Sequence, residues 1–494
     1  MRQPTGQSLL RLGGAVAVAV LLSLYFFTPR FVLWSLLGTS ETPPEVVRAG
    51  AALEQLQHPL APMVGHTLRV MEWRLFFPAL GHAFHLPAEV YLALPHLGCL
   101  LALLAMARVL RENDFSWLQV TAATVTLATC SWFFVSTGWL AYFDSWLILG
   151  LLVLVFFRSR WAALGAVAVV PWIDEHFVLM LPFALLLRSR YWSETGEEPR
   201  RDHGWRESLL LAAGLVPWAV IRAVAAFSGR DGVTGSYLQE MQVASGPDLL
   251  RGGWHGLRWA WVFAAFWLAG MWRSGARQFA GWAAIFLVTL AANLLVAEDL
   301  SRSASTLLPV VLLGMIGLKR SGFRAFGPVL LGVAVLNLLF PAEHVVGHQV
   351  IPILYAPAEL NRNRDPLHDF SPEIYRRAAT NFSRNDRPDD ALHMLDIAMR
   401  LDPDVAEDHA NLALALGTKK QWAEARMAIE RAIALAGDKP EFFFYRAAFK
   451  YQLGDPGAKV DAEKSLSLAA TDWPRRSEVE QLLRLLNQGI RPRS

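Results

Sequence analysis

The stretch RSRWAALGAVAVVPWIDEHFVLMLPFALLLRSR, residues 158–190, decides the fold. Two apolar arms, 161–170 and 177–187, flank the polar break Asp174-Glu175-His176. A membrane-crossing helix needs about 20 apolar residues, and each arm offers only about half of that length. Arginines stand at both ends of the stretch, and arginines favour the cytoplasmic side of a membrane. The pattern therefore predicts a re-entrant hairpin that enters, turns at an acidic tip and leaves on the same side.

A single tilted span over 161–187, about 40 Å long, is the alternative. It would place the arginine-rich loop 188–206 on the outer side of the membrane. It would also leave Pro171, Asp174 and Glu175 in the middle of a helix. Because the positive-inside rule keeps arginine-rich loops in the cytoplasm, the hairpin is the favoured interpretation.

The composition is that of a polytopic membrane protein. Of 494 residues, 54% are hydrophobic and only 18% are charged, which is unlike a soluble enzyme. The net charge of +3 is too small to indicate nucleic-acid binding. Cys99 and Cys130 both lie in apolar segments, so neither a disulfide framework nor a metal site is predicted from cysteine.

Nine further apolar runs have about the length of a membrane span, and we predict an all-α transmembrane domain over residues 1–341. The first run reads as a retained signal anchor with a cytoplasmic N-terminus. Short loops rich in arginine then alternate with poorer ones, and the C-terminus falls outside, in the periplasm if the membrane is a bacterial inner membrane. The runs are 13–37, 88–107, 116–136, 139–157, 207–227, 256–272, 278–297, 303–318 and 323–341.

The character of the chain changes after Pro341. Residues 342–370 are polar and interrupted by prolines, which predicts a linker with one short helix. From there to residue 494, small residues recur at a 34-residue offset, as at 379, 413 and 447. This is the tetratricopeptide (TPR) pattern, here about three repeats and a capping helix at 475–488. Such arrays bind proteins or peptides on a concave face; stabilising the membrane domain or self-association is the alternative.

Charged residues gather on the predicted outer side of the membrane, an arrangement expected for a site that handles a charged lipid head group. Local roles are the alternative, with Asp174 as a helix cap and Asp299 with Arg302 as an ordinary turn pair. The candidates are Asp144 in the 139–157 run, Asp174, Glu175 and His176 at the hairpin tip, Asp299 and Arg302 between two runs, and Glu41, Glu45, Arg69, Glu72 and Arg74 in the first outer loop.

The organisation of residues 13–341 resembles the GT-C class of membrane glycosyltransferases. The resemblance rests on the first outer loop with Arg69-Val-Met-Glu-Trp-Arg-Leu-Phe-Phe-Pro78, on the broken helix with Trp172-Ile-Asp-Glu-His-Phe177, and on an acidic residue near the outer end of the 139–157 run. It implies transfer of a sugar from a polyprenyl phosphate on the outer face. TPR arrays follow the last span in some members of this class.

The resemblance also implies roles for the charged residues. A carboxylate among Glu41, Glu45 and Glu72 would be the base, although the class usually has an aspartate-based group after its first span. Arg302, with Arg69 or Arg74, would hold the phosphate, and His176 and Asp299 would contact the substrate. Asp144, Asp174 and Glu175 would position the acceptor or bind a divalent cation.

Two other classes of protein compete with the enzyme. A non-catalytic inner-membrane scaffold would use its TPR domain to recruit periplasmic partners. A secondary transporter would also contain broken helices in the membrane, but the chain has only one such segment and no matching one in its other half.

Overall fold

A computed structural model describes residues 6–29, 44–61, 69–194, 205–227, 244–273, 275–296, 299–347, 349–361, 372–384 and 387–490. Within these ranges the chain is helical apart from one two-stranded hairpin, as the sequence predicts for fold class. It divides into two compact units. The first comprises Met1–Pro62 with Val70–Arg364, and the second comprises Met63–Arg69 with Asp365–Ser494.

Seventeen α-helices precede the hairpin in the described part of the first unit. They are α1 Gly6–Phe26, α2 Pro44–Gln57, α3 Phe76–Ala83, α4 Ala88–Glu112, α5 Trp117–Ala128, α6 Ser131–Gly138, α7 Asp144–Phe156, α8 Arg160–Val169, α9 His176–Glu194, α10 Trp205–Ala213, α11 Val216–Phe227, α12 Gly246–Leu257, α13 Trp261–Trp272, α14 Ala276–Val296, α15 Leu300–Ala304, α16 Leu308–Arg320 and α17 Phe326–Leu339.

Four helical segments of the described residues are long and apolar enough to cross a membrane, or six if two bent pairs each count as one span. The bent pairs are α5 with α6 and α10 with α11, at 62° and 49°. Nine runs were predicted, and the difference arises because several of them form short helices. The 139–157 run, for example, is helical only over Asp144–Phe156, about 20 Å.

The 158–190 stretch forms a hairpin of helices. Helix α8 leads into a 3-10 turn at Val170–Trp172, and α9 begins at His176. Arg188, on α9, donates to the carbonyls of Leu154 and Phe157 at the end of α7, at 2.8 and 2.7 Å. Since α8 starts three residues after Phe157, the two arms of the hairpin begin and finish at one end of the unit.

Arginines mark this end of the first unit. Arg320 Nη2 donates to Asn113 Oδ1 at 2.8 Å, and Asn113 Nδ2 donates to the hydroxyl of Tyr191 at 3.0 Å. The ends of α4, α7, α9 and α16 therefore meet here, and we call this the arginine end. Asp144, at the start of α7, and Asp174, just before α9, lie at the opposite ends of these helices.

Close helix contacts in the unit depend on glycine. A Cβ at Gly314 of α16 would lie 1.9 Å from the carbonyl oxygen of Phe263 in α13. A Cβ at Gly252 or Gly256 of α12 would lie 2.2 or 2.5 Å from a Cβ of α15. Small residues four apart let helix backbones approach in this way. They bring α15, which carries Arg302, directly against α12.

Arg258 ties together two helix ends. It is 1% exposed, and its guanidinium donates to the carbonyls of Thr129 and Phe340, which cap the C-termini of α5 and α17. The last carbonyls of a helix have no intrahelical donor and carry the negative end of its dipole. A cation there satisfies both helices at once.

The predicted linker contains a β-hairpin that the sequence analysis missed. Strand β1 (Ala342–Val346) pairs antiparallel with β2 (Gln349–Ile353), and a short helix, α18 (Ala356–Asn361), follows. Val346 also forms a bridge with Asp299. The β-hairpin is thus part of the first unit, and its first strand pairs with the residue that immediately precedes α15.

In its described residues the second unit contains three helix pairs and a final helix. The first helices of the pairs start at Pro372, Ala406 and Pro440, which are 34 residues apart. Ala379, Ala413 and Ala447 are fully buried at equivalent positions. The helices are α19 Pro372–Arg384, α20 Pro388–Leu401, α21 Ala406–Thr418, α22 Trp422–Ala436, α23 Pro440–Gln452, α24 Ala458–Leu468 and α25 Arg476–Asn487.

Candidate functional site

A network of buried charges occupies the end of the first unit opposite the arginine end. It joins the start of α7, the tip of the α8–α9 hairpin, the start of α15 and the segment before α3. We call it the acidic cluster; it comprises Asp144, Asp174, Glu175, Asp299, Arg74 and Arg302. All except Glu175 have side chains that are 11% exposed or less. Burying a charged group costs free energy, and here pairing with groups of opposite charge offsets that cost.

Arg302 is the centre of the acidic cluster. Its Nη1 lies 3.3 Å from Asp144 Oδ1 and 3.6 Å from Asp174 Oδ2, and its Nε lies 3.4 Å from Asp299 Oδ2. Asp299 also caps α15, since its Oδ1 accepts from the Arg302 amide. One guanidinium therefore holds three carboxylates from three different elements.

Arg74 forms the outer edge of the cluster. It binds Glu175 in a bidentate manner, at 2.9 and 3.2 Å, and its Nη1 lies 3.3 Å from Asp174 Oδ2. Burial works against its charged form, but the two carboxylates outweigh burial and raise the pKa of Arg74. The Glu175 side chain is 38% exposed, so the cluster reaches solvent on this side.

His176 begins α9 and contacts Asp174 twice. Its backbone amide donates to Asp174 Oδ1 at 3.0 Å, so the predicted capping role of Asp174 exists alongside its ion pairs. Its ring Nδ1 lies 2.7 Å from the same oxygen. The ring is nine-tenths buried, and its Nε2 has no hydrogen-bond partner among the described residues.

Two arginines lie over the ring of Tyr142 beside the cluster. The guanidinium of Arg48, from α2, lies 4.0 Å from its ring centre and that of Arg302 lies 5.4 Å away. Arg48 Nε donates to the carbonyl of Ala141, which has a φ of 60° and is fully buried. A left-handed alanine is strained by roughly 1–2 kcal/mol, and strain of this kind concentrates at functional sites.

The β-hairpin adds a histidine to the cluster. His344 Nε2 lies 3.4 Å from Asp299 Oδ2, and its Nδ1 lies 3.1 Å from Ser301 Oγ. Its ring packs on Trp139 at 4.6 Å between centroids. His344 thus connects the strand that follows α17 to the residue that pairs with Arg302.

Seven of the eleven predicted site residues lie together: Asp144, Asp174, Glu175, His176, Asp299, Arg302 and Arg74. Glu41 lies outside the described residues, as do the side chains of Glu45 and Arg69. Glu72 lies half-buried in the 3-10 turn Arg69–Trp73, where its carbonyl oxygen accepts from Gln55 Nε2 at 3.1 Å.

The roles of Arg48, Tyr142, Ser301 and His344 were missed by the sequence analysis. Tyr142 stands two residues before Asp144, and this proximity was the available signal. Arg48 and His344 reach the cluster only through tertiary packing of α2 and β1, so no local pattern indicates them.

A divalent cation was one predicted role for the carboxylates. Among the described residues, no group of three histidine, cysteine, aspartate or glutamate side chains is arranged to hold a metal ion. Instead, guanidinium groups lie between the carboxylates. The described arrangement suits an anion that competes with Glu175 for Arg74 better than it suits a cation.

No protein-family model matches the chain, and no curated protein matches it. Among solved structures, a crystal structure of a T3SS complex from Aeromonas hydrophila aligns with 27% of this chain and 84% of its own chain. The identity is 20% and the TM-score 0.21. A similarity this weak carries no argument about fold or function.

Proposed function

We propose that the chain is a membrane glycosyltransferase of the GT-C type, which transfers a sugar from a polyprenyl phosphate at the outer face of a bacterial inner membrane. One observation carries the proposal: Asp144, Asp174 and Arg302 come from three distant elements and meet within 3.6 Å. Buried ionisable groups within membrane domains are expensive and usually functional.

The proposed topology has about nine crossings and the re-entrant hairpin, with the arginine end in the cytoplasm. The distribution of charge between the two ends supports it. Ser145 and Trp146 donate to the carbonyls of Pro95 and Leu94, which places the start of α7 beside the second turn of α4. The acidic cluster would therefore lie about 10 Å below the outer end of α4, at the depth of lipid head groups.

The proposed mechanism uses Arg74 to bind the donor phosphate. Glu175 is the most exposed carboxylate of the cluster and leaves Arg74 at little cost when a phosphate, which arginine also binds in a bidentate manner, replaces it. Arg302 would keep Asp144 and Asp174 in position for the acceptor. The cations would offset charge on the departing polyprenyl phosphate.

The second unit would dock a protein acceptor or partner through TPR repeats. Its three helix pairs at a 34-residue offset, with alanines at the crossings, support that assignment. A concave surface made by stacked repeats binds extended segments of other proteins.

A scaffold without catalytic activity is the second candidate. The pairing within the acidic cluster favours it, because Asp144, Asp299 and Glu175 all lie beside an arginine. A network of this kind could serve only to position helices.

Binding and transfer measurements separate the two candidates. Full-length protein in detergent is incubated with decaprenyl phosphate, and complexes are quantified by native mass spectrometry. We expect binding that Arg74→Gln abolishes and that Glu207→Gln retains. The control is matched because Glu207 pairs with the buried Arg188 at the arginine end. Sugar release from decaprenyl-phosphate-linked sugars is then measured; a well-folded protein that neither binds nor releases is the scaffold.

A further inference from the structure

The acidic cluster contains one basic atom that its ion pairs do not use. His176 is 8% exposed, and its Nε2 is buried without a hydrogen-bond partner among the described residues. Buried polar atoms in proteins are almost always satisfied, so an exception calls for an explanation such as a ligand.

Asp174 determines which nitrogen of the His176 ring carries the proton. Its Oδ2 lies 3.3 Å from Arg74 Nη1 and 3.6 Å from Arg302 Nη1, and these cations favour the ionised carboxylate. An ionised carboxylate only accepts hydrogen bonds, so His176 Nδ1 is the donor in the 2.7 Å contact with Oδ1. In the neutral ring, Nε2 is then the proton acceptor. A carboxylate that orients a histidine in this way also stabilises the imidazolium that forms when Nε2 takes a proton.

We infer that His176, rather than a carboxylate of the first outer loop, is the general base of the sugar transfer. This inference rests on the proposed function. His176 Nε2 removes the proton from the acceptor hydroxyl while the acceptor oxygen bonds to the anomeric carbon of the sugar. The bond from that carbon to the phosphate oxygen breaks, and the polyprenyl phosphate departs with the electron pair. The imidazolium then loses its proton to solvent beside the exposed Glu175.

The arrangement of charges supports this division of roles. Glu175, Asp144 and Asp299 are each paired with a guanidinium, whereas His176 Nε2 has no hydrogen-bond partner among the described residues. His176 directly follows Glu175, the residue at the exposed edge of the cluster. The phosphate on Arg74 and the acceptor hydroxyl would thus meet at the hairpin tip.

The test compares full-length variants under the conditions of the transfer assay, with decaprenyl-phosphate-linked hexoses as donors and water or the host envelope fraction as acceptor. His176→Gln should bind decaprenyl phosphate as the wild type does and lose turnover by about 10²–10⁴-fold, the usual contribution of a general base. His176→Gly should regain turnover when imidazole is added. His255→Gln, in a histidine that pairs with Glu343 outside the cluster, should keep full turnover.

The outcomes separate this inference from the proposed function. If the wild type is folded but releases sugar from no donor, the proposed function is wrong, and so is the assignment of His176 as its general base. If the wild type is active and His176→Gln turns over at the same rate, only the base assignment is wrong. Loss of phosphate binding in His176→Gln, or no recovery of His176→Gly with imidazole, would show a structural role instead.

Discussion

Replacement of Arg302 by methionine tests whether the acidic cluster holds the first unit together. The substitution Arg302→Met preserves most of the volume of the side chain and removes only its charge and donors. It leaves Asp144, Asp174 and Asp299 without the guanidinium that lies between 3.3 and 3.6 Å from each. These carboxylates are nearly enclosed, with exposed fractions of 2–8%, so water cannot replace the lost cation.

The expected loss of stability is about 3–5 kcal/mol, the usual cost of removing one partner from a buried ion pair. Coulomb's law gives a consistent scale, because two unit charges 3.3 Å apart interact by about 5 kcal/mol at an effective dielectric constant of 20. Asp144→Asn should relieve part of this cost when combined with Arg302→Met. The double variant should therefore be more stable than the sum of the single losses predicts, by about 1–3 kcal/mol.

The measurement is SDS-induced unfolding of the full chain in mixed micelles, followed by tryptophan fluorescence, for the wild type, both single variants and the double variant. Glu207→Gln is the control for non-specific loss of packing. It breaks a buried pair at the arginine end, so its effect should add to that of Arg302→Met within about 0.5 kcal/mol. If Arg302→Met costs less than about 1 kcal/mol, or if it is additive with Asp144→Asn, the cluster is not an interdependent network.

Three further substitutions test the packing and the second unit. Gly314→Ala should destabilise the first unit by about 1–3 kcal/mol or more, because its Cβ would lie 1.9 Å from the carbonyl oxygen of Phe263. Gly317→Ala, on the same helix, brings its Cβ near no other atom and should stabilise the unit slightly. Equal effects of the two substitutions in the SDS assay would contradict the close approach of the helices. Lys420→Gly should stabilise the second unit by about 1 kcal/mol, since Lys420 is exposed and has a φ of 60°, which favours glycine. The measurement is the protection of α21 and α22 from hydrogen exchange, which Lys420→Gly should increase and Lys420→Ala should leave unchanged. Burial alone would raise the pKa of Asp461, but hydrogen bonds from Arg446 and Lys450 outweigh burial and lower it. Asp461 therefore contributes stability above its unfolded pKa of about 3.9, and this stability is lost as the pH falls through the folded pKa. Asp461→Asn should speed hydrogen exchange of α23 and α24 near neutral pH, and a difference from wild type that persists in strong acid would refute this.

The hairpin at 158–190 could be predicted from the sequence because its signals are local. Pro171 and the charges that follow it stop an apolar helix, and arginines at both ends require the chain to return. The observed contacts of Arg188 with the end of α7 agree with this prediction. The 34-residue repeat could be detected for a similar reason, because each copy repeats the same local packing requirement at Ala379, Ala413 and Ala447.

The partners within the acidic cluster could not be predicted, because they depend on long-range packing. Arg74 and Glu175 are 101 residues apart, and Arg302 and Asp144 are 158 apart. The sequence analysis placed these residues on one side of a membrane but could not match them. The β-hairpin was missed because each strand is only five residues long and β2 contains Pro352, which by itself indicates a loop.

The contrast between the two arginines bears on the choice between enzyme and scaffold. Arg302 is enclosed and holds three aspartates, which is sufficient to fix the helices. A purely structural cluster would need nothing more. Yet the same small region also contains a bidentate pair at the solvent edge, a strained Ala141 and a bare His176 Nε2. Each of these three features costs stability or adds little to it. A ligand that binds in this region would account for their coincidence, and on this ground we favour the proposed enzyme over the scaffold.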